Sequence, residues 1–276
     1  MGQDASVARR LQTLILLRHG ESEWNRDNRF AGWVDVPLTV AGADEARLAG
    51  ELLVQANCLP DVVHTSLLVR SIRSAALVLE AAGRNGIEEK RTWRFNERHY
   101  GILQGRNRDS VVDEFGYAQF HRWRRSYTAA PPPVAENSPF SQASDARYAN
   151  LRQGVPRTES LQDVLTRLLP HWRREITPDL AAGKTVLVVT HGNTMRAIVK
   201  YLQNVSDNAV EDINIPTAIP MVMQLNEEGV LYADPVYLDP VRAAIGSAAV
   251  ASLGRPEPTA RSSAARDGGH EVIGFQ

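Results

Sequence analysis

Cysteine is almost absent: Cys58 is the only one in 276 residues, so no intrachain disulfide and no cysteine-built metal cluster can form. Placed before Leu59-Pro60, it reads as a small semi-buried residue. Net charge is nearly absent too. A formal charge of -1 gives no electrostatic footprint for nucleic acid, whose binders carry a clustered basic excess. Long apolar runs are also missing. Residues 1–10 are polar, the run at 14–17 is too short for a signal-peptide core or a membrane span, and no later window does better. These absences lead to the expectation of a cytoplasmic protein that binds neither membrane nor nucleic acid. With 43% hydrophobic residues, the length suits one large domain or two small ones, with a core that needs no covalent staple.

What the chain has instead is short apolar runs alternating with helical periodicity. Residues 14–17 read as a strand buried on both faces of a parallel sheet, ending in Arg18-His19-Gly20-Glu21. Pro37-Leu38-Thr39 precedes a helix over residues 41–55, with Ala46, Leu48, Ala49, Leu52 and Leu53 near helical spacing. Residues 61–64 read as a second strand. Thr65-Ser66 then caps a helix over 67–82, on which Arg70, Arg73 and Leu77 share a face. Residues 90–150 are irregular, rich in aromatics and arginine, and read as an insertion rather than a further sheet layer; such insertions often build binding sites. Basic residues clustered over 91–125 suit a small anionic ligand. Thr158-Glu159-Ser160 opens a helical stretch to residue 175, kinked at Pro170. Residues 184–190 form the clearest strand, which ends in His191-Gly192-Asn193 and feeds a helix over 195–202. Residues 221–225 and 230–233 suggest a hairpin at the sheet edge.

This alternation indicates an α/β fold: a three-layer sandwich with a mostly parallel central sheet, helices on both faces, and the 90–150 insertion capping the active site. The expected organisation is one domain over residues 1–254, with a mobile C-terminal segment at 241–254 and a disordered tail at 255–276. Ligands bind beyond the carboxyl ends of parallel strands. Two buried strands end in Arg-His-Gly and Thr-His-Gly, which places both histidines at one edge. A neutral imidazole is a competent nucleophile towards phosphorus. His19 suits that role, because its other ring nitrogen can donate to a nearby carbonyl and so select the reactive tautomer. Arg18 offers a planar fork for two phosphoryl oxygens, and His191 a donor where charge gathers. Either histidine alone is more simply a satisfied strand-end residue; the pair is not. His64, His99, His121 and His171 read as structural or exposed, and Trp33 and Trp172 as core or interface.

The wider motif goes further. Leu17-Arg18-His19-Gly20-Glu21-Ser22-Glu23-Trp24-Asn25 and Arg29-Phe30-Ala31-Gly32-Trp33 resemble the signature of the histidine phosphatase superfamily, in its phosphoglycerate mutase branch. Glu97-Arg98-His99-Tyr100-Gly101, Leu103-Gln104-Gly105, Trp123-Arg124-Arg125 and His191-Gly192-Asn193-Thr194-Met195-Arg196 extend the resemblance, which covers residues 13–254. It implies that His19 is phosphorylated, that Arg18, Arg70 and His191 hold the moving phosphoryl group, and that Ser22, Asn25 and the Gly192 backbone add hydrogen bonds. Glu97 is the implied general acid/base. Tyr100, Arg124 and Arg125 grip the substrate's distal groups, and Ala31, Gly32, Arg108 and Asn193 complete the substrate site. The resemblance further implies 2,3-bisphosphoglycerate as primer, no metal, a phosphoglycerate substrate, and a homodimer with a tetramer as the alternative. Two positions depart from the family pattern: Ala31 replaces a usual threonine and Arg108 a usual lysine, which bears on affinity more than on activity. A broad phosphatase and a silent phospho-ligand binder are the rival readings.

Overall fold

The computed structural model describes residues 11–151 and 154–255. Six strands form one sheet: β1 (Gln12–Arg18), β2 (Val62–Thr65), β3 (Glu88–Arg91), β4 (Val186–Thr190), β5 (Met221–Leu225) and β6 (Val236–Tyr237), in the order β3-β2-β4-β1-β5-β6. The first four are parallel to one another, while β5 runs antiparallel to β1 and β6 to β5. Among the described residues nine α-helices accompany them: α1 (Glu23–Arg26), α2 (Val40–Gln55), α3 (Val69–Ala81), α4 (Arg108–Phe115), α5 (Tyr117–Arg125), α6 (Leu161–His171), α7 (Thr177–Ala181), α8 (Gly192–Gln203) and α9 (Pro240–Ser252). Among the described residues no helix is long and apolar enough to cross a membrane.

The three expected layers follow from alternation along the strands. Leu14, Leu16, Val186 and Val188 pack against Leu161, Val164 and Leu168 of α6 and Met195 and Ile198 of α8. Ile15, Leu17, Leu187 and Val189 face the other way, onto Ala46, Ala49 and Leu53 of α2 and Ala75 and Val78 of α3. Strands covered on both faces must be apolar throughout, which is why β1 and β4 are continuous hydrophobic runs. A third cluster, Phe30, Tyr100, Leu103, Val111, Phe120 and Trp123, gives the segment around α4 and α5 a core of its own.

Several boundaries differ from the sequence reading. The 90–150 segment begins with the end of a strand, since β3 pairs with β2 at the sheet edge. Its Glu-Glu-Lys-Arg sequence carries no apolar signal because the strand is largely solvent-exposed. Helix α3 starts at Val69, not at residue 67, and its N-cap Leu68 makes no side-chain cap; Ser66 is used elsewhere. Arg73 points to solvent, and the buried face bearing Arg70 continues through Ser74. At the opposite edge the partner of β5 is Val236–Tyr237, with only an isolated Leu225–Leu231 bridge from the expected 230–233 run. The run still returns against the end of β5, where the Asn226 N–H donates to the Val230 carbonyl and the Tyr232 N–H to the Gln224 carbonyl, both at 2.8 Å. Pro170 lies inside α6, and a π-type turn over Trp172–Ile176 follows it before α7. The segment at 241–254 is largely helical, as α9. The tail at 255–276, apart from Arg255, lies outside the described residues.

Candidate active site

The two strand-end histidines meet. The His19 backbone N–H donates to the Thr190 carbonyl at 2.9 Å, joining the ends of β1 and β4. The two rings lie edge to face with centroids 5.0 Å apart. Gly20 permits this geometry: a Cβ there would fall 2.0 Å from the Gly42 carbonyl oxygen at the start of α2.

His19 Nδ1 lies 2.6 Å from the Gly20 carbonyl oxygen. A carbonyl only accepts, so Nδ1 carries the proton and Nε2 keeps its lone pair. Arg70 Nε donates to that Nε2 at 3.3 Å, while its two terminal nitrogens donate to the Val34 and Gly32 carbonyls. Burial, and then the charges of Arg70 and Arg18, hold the His19 imidazolium well below the ordinary histidine value. The ring is therefore neutral and nucleophilic at neutral pH.

His191 is wholly buried beside His19 and does not itself line the cavity. Its Nε2 lies 2.9 Å from Ser66 Oγ, and its Nδ1 has no partner among the described residues. Ser66 Oγ already accepts from the Leu68 N–H at 3.1 Å. Among the described residues its one proton has no acceptor other than His191 Nε2, so it donates there, which leaves the His191 proton on Nδ1. Burial, and then Arg70, keep this ring neutral as well.

One cavity opens over these groups, lined at one end by Arg18, His19, Asn25 and Arg70. Glu97, Tyr100, Gly192 and Asn193 also line it, as do Ala31 and Gly32, and so do Arg108, Arg124 and Arg125. Every residue expected at the site reaches this cavity except Ser22 and His191. Ser22 is buried as the N-cap of α1, where its hydroxyl donates to Asn25 Oδ1 at 2.9 Å and accepts from the Asn25 N–H. In this structure its hydrogen bonds hold Asn25, which does line the cavity.

Glu97 Oε1 accepts from the Arg98 N–H at 2.7 Å and from the Asn193 N–H at 3.2 Å, in the first turn of α8. Asn193 Nδ2 donates to Tyr100 Oη at 2.8 Å. Arg108 donates to Asn28 Oδ1 at 3.1 Å and lies over the Phe30 ring. Arg124 Nη2 donates at 2.8 Å to the carbonyl of Val250, so α9 closes one side of the cavity with Val250 and Leu253. Arg125 donates to the Ile213 carbonyl at 3.1 Å and to Asn214 Oδ1.

Six arginines thus line the cavity, Arg18, Arg70, Arg108, Arg124, Arg125 and Arg196, against one carboxylate, Glu97. None of the six forms an ion pair among the described residues; the ion-paired arginines lie elsewhere. Burial pushes Arg70 and Arg108 down to about 10 and Arg196 to about 9, and holds Arg124 well below its ordinary value. Buried cations without counter-ions are costly unless an anion joins them. Arg18 Nε is buried with no partner, while its Nη1 donates to the Ile215 carbonyl at 2.7 Å. The arrangement can therefore take a polyanion and offer it one neutral imidazole nucleophile and one carboxylate for proton transfer. Arg196 and Ser66 are the functional candidates the sequence reading passed over. Arg196 stood inside a quoted motif without a role, and Ser66 had been assigned to a helix cap.

The sequence profile of the histidine phosphatase superfamily (branch 1) matches residues 14–234. The 2,3-bisphosphoglycerate-dependent phosphoglycerate mutase of Arthrobacter sp. (strain FB24) is 54% identical over 243 residues, covering 88% of this chain and 98% of that protein. The protein of the same name from Clavibacter sepedonicus is 51% identical over 244 residues, covering 88% and 97%. A crystal structure of phosphoglycerate mutase from Bacillus anthracis str. Sterne superposes with a TM-score of 0.63 at 20% identity over 86% of this chain and 97% of that one, which shows the shared fold. The strand-end histidine pair, the buried arginines and these matches agree: the chain belongs to the histidine phosphatase superfamily, among the 2,3-bisphosphoglycerate-dependent phosphoglycerate mutases.

Proposed function

We propose that this enzyme interconverts 3-phosphoglycerate and 2-phosphoglycerate through a phosphohistidine at His19. The observation that carries the reading is a single cavity holding a neutral, tautomer-fixed histidine, one carboxylate and six arginines without carboxylate partners. Those cations fit a ligand with two phosphates and a carboxylate, and 2,3-bisphosphoglycerate supplies the first phosphoryl group as primer. Charge neutralisation falls to the arginines, so the reading needs no metal.

In this reading Arg18, Arg70 and Asn25 bind the oxygens of the phosphoryl group in transit, with His191 Nδ1–H and the Gly192 backbone as further donors. The His19 Nε2 lone pair forms the N–P bond as the substrate's O–P bond breaks, and Glu97 gives the departing alkoxide its proton. In the reverse transfer Glu97 takes the proton of the acceptor hydroxyl as that oxygen attacks phosphorus and the N–P bond breaks. Arg108, Arg124, Arg125 and Tyr100 hold the distal phosphate and carboxylate. Ala31, Gly32 and Asn193 shape the wall between. The same reading treats residues 1–254 as one catalytic unit and takes the enzyme to be a cytoplasmic homodimer, with a tetramer as the alternative assembly.

Phosphoenzyme chemistry tests it. Wild type incubated with labelled 2,3-bisphosphoglycerate acquires one acid-labile, base-stable label, and His19→Ala acquires none. Equal labelling of the two proteins rejects the assignment.

A further inference from the structure

An α-helix ends in four carbonyls that have no partner within it. In α5, whose last two residues are Arg124 and Arg125, these belong to Arg122, Trp123, Arg124 and Arg125. The Ser126 N–H takes the Arg122 carbonyl at 3.2 Å. Two buried arginines take the rest. Arg98 Nη2 donates to the Trp123 carbonyl at 2.7 Å and to that of Arg124 at 3.3 Å. Arg196 donates from Nη1 to the Arg124 carbonyl at 3.4 Å and from Nη2 to the Arg125 carbonyl at 2.8 Å. Positive charge suits the negative end of a helix.

These two side chains are also attached to the other end of the cavity. Arg98 follows Glu97 directly, and its own N–H donates to the Glu97 carboxylate. Arg196 Nη1 donates to Asn193 Oδ1 at 2.9 Å, one turn along α8 from the residues next to His191. A fourth bond, from Arg196 Nη2 to the Val210 carbonyl at 2.7 Å, fixes the guanidinium plane. Arg98 is wholly buried and Arg196 nearly so, and the Nε of each has no partner among the described residues. Capping α5 alone does not require donors rooted beside Glu97 and His191; a water or the next backbone amides serve most helix ends.

We propose that Arg196, assisted by Arg98, is a positioning residue that sets the span between the phosphoryl end of the cavity and the Arg124–Arg125 end, and so selects dianionic ligands of one length. The inference rests on the two-ended reading of the cavity given above. Without the Arg196 fork, the last turn of α5 is free to shift relative to α8, and the cavity tolerates several spans.

The probes are non-hydrolysable alkane bisphosphonates with one to four bridging methylenes, with inorganic phosphate as the one-ended reference, each titrated calorimetrically. Misplacing a group by about 1 Å costs as much as 10²-fold, so wild type is expected to favour one spacer about tenfold over its neighbours. Arg196→Met flattens that preference to within about threefold, and Arg196→Lys, keeping the charge and part of the donation, falls between. Should the methionine variant not fold, the lysine variant carries the test through the same broadening. A spacer preference unchanged in the variants, or a uniform weakening of all spacers and phosphate alike, overturns the inference while leaving the two-ended cavity standing. Wild type binding every bisphosphonate no tighter than phosphate removes the two-ended reading itself, and the inference with it.

Discussion

Replacing Ser66 by alanine isolates the tautomer argument, because Ser66 lies behind His191 and does not line the cavity. Its hydroxyl is wholly buried, 2.9 Å from His191 Nε2 and 3.1 Å from the Leu68 nitrogen. Ser66→Ala removes both contacts without adding bulk. An unsatisfied buried polar group costs about 1–3 kcal/mol, so the two losses together lower stability by roughly 2–4 kcal/mol after partial relaxation. Catalysis falls for a separate reason. Once Nε2 loses its donor, the His191 proton is free to sit on either nitrogen, and Nδ1 no longer presents N–H to every arriving phosphoryl group. The loss of a donor in the transition state is worth about 10²–10³ in rate when complete; with the tautomer unbiased, about half the enzyme keeps the competent form, and a fall of about twofold is expected. Rapid-quench measurement of His19 phosphorylation at saturating 2,3-bisphosphoglycerate reads this step, and His191→Ala provides the reference for full loss. A Ser66→Ala enzyme that is destabilised yet phosphorylates at the wild-type rate refutes the assignment of the Nδ1–H tautomer.

Three further outcomes follow from the same geometry. Glu97→Gln keeps the hydrogen bond from the Asn193 N–H but cannot exchange a proton, so phosphoenzyme formation from 2,3-bisphosphoglycerate and transfer to 3-phosphoglycerate both slow by about 10²–10⁴-fold, whereas phosphorylation from p-nitrophenyl phosphate, whose leaving group needs no proton, changes little; a wild-type rate in either half-reaction contradicts this. Ending the chain after Pro240 removes Val250 and Leu253 from the cavity wall and the Val250 carbonyl from Arg124, so water reaches the phosphohistidine and free phosphate rises relative to isomer. Ending it after Gly254 leaves that ratio unchanged, and an unaltered ratio in the shorter chain shows that α9 is not a lid. Burial, which outweighs the hydrogen bond His99 donates to Gln142 Oε1, lowers His99 to about 4, and burial with the nearby His171 lowers His64 to about 4. Between pH 4 and the ordinary histidine value near 6.5 the unfolded chain binds more protons, so stability is full above 6.5 and declines as pH falls through that window, by at most about 3 kcal/mol per histidine. A Tm that does not move between pH 7 and 4.5 contradicts this.

Legibility in the sequence tracked burial on both faces. β1 and β4 could be read because strands covered above and below have no polar positions, and their ends located His19 and His191 correctly. β3 could not, since an edge strand written Glu-Glu-Lys-Arg looks like a solvated turn. Ser66 was misread for a related reason: a serine beside a helix start is usually a cap, and only the fold reveals a histidine 2.9 Å from its hydroxyl. Arg124 and Arg125 were legible through the motif that contains them. Arg98 and Arg196 were not, because an arginine that grips two carbonyls of another helix is indistinguishable in sequence from one on a solvated face. The 230–233 run was legible as a return against β5, which the Tyr232 N–H makes to the Gln224 carbonyl at 2.8 Å, but the ladder partner of β5 at the edge is Val236–Tyr237.

The central claim is that one phosphoryl group travels through His19 to the other oxygen of the same substrate class. Enzyme labelled at His19 from labelled 2,3-bisphosphoglycerate, freed of excess ligand and mixed with unlabelled 3-phosphoglycerate, reports this directly. The account predicts that the label appears on carbon 2, first in the bisphosphate and then in 2-phosphoglycerate. Label appearing only as inorganic phosphate, with none in 2-phosphoglycerate, contradicts it.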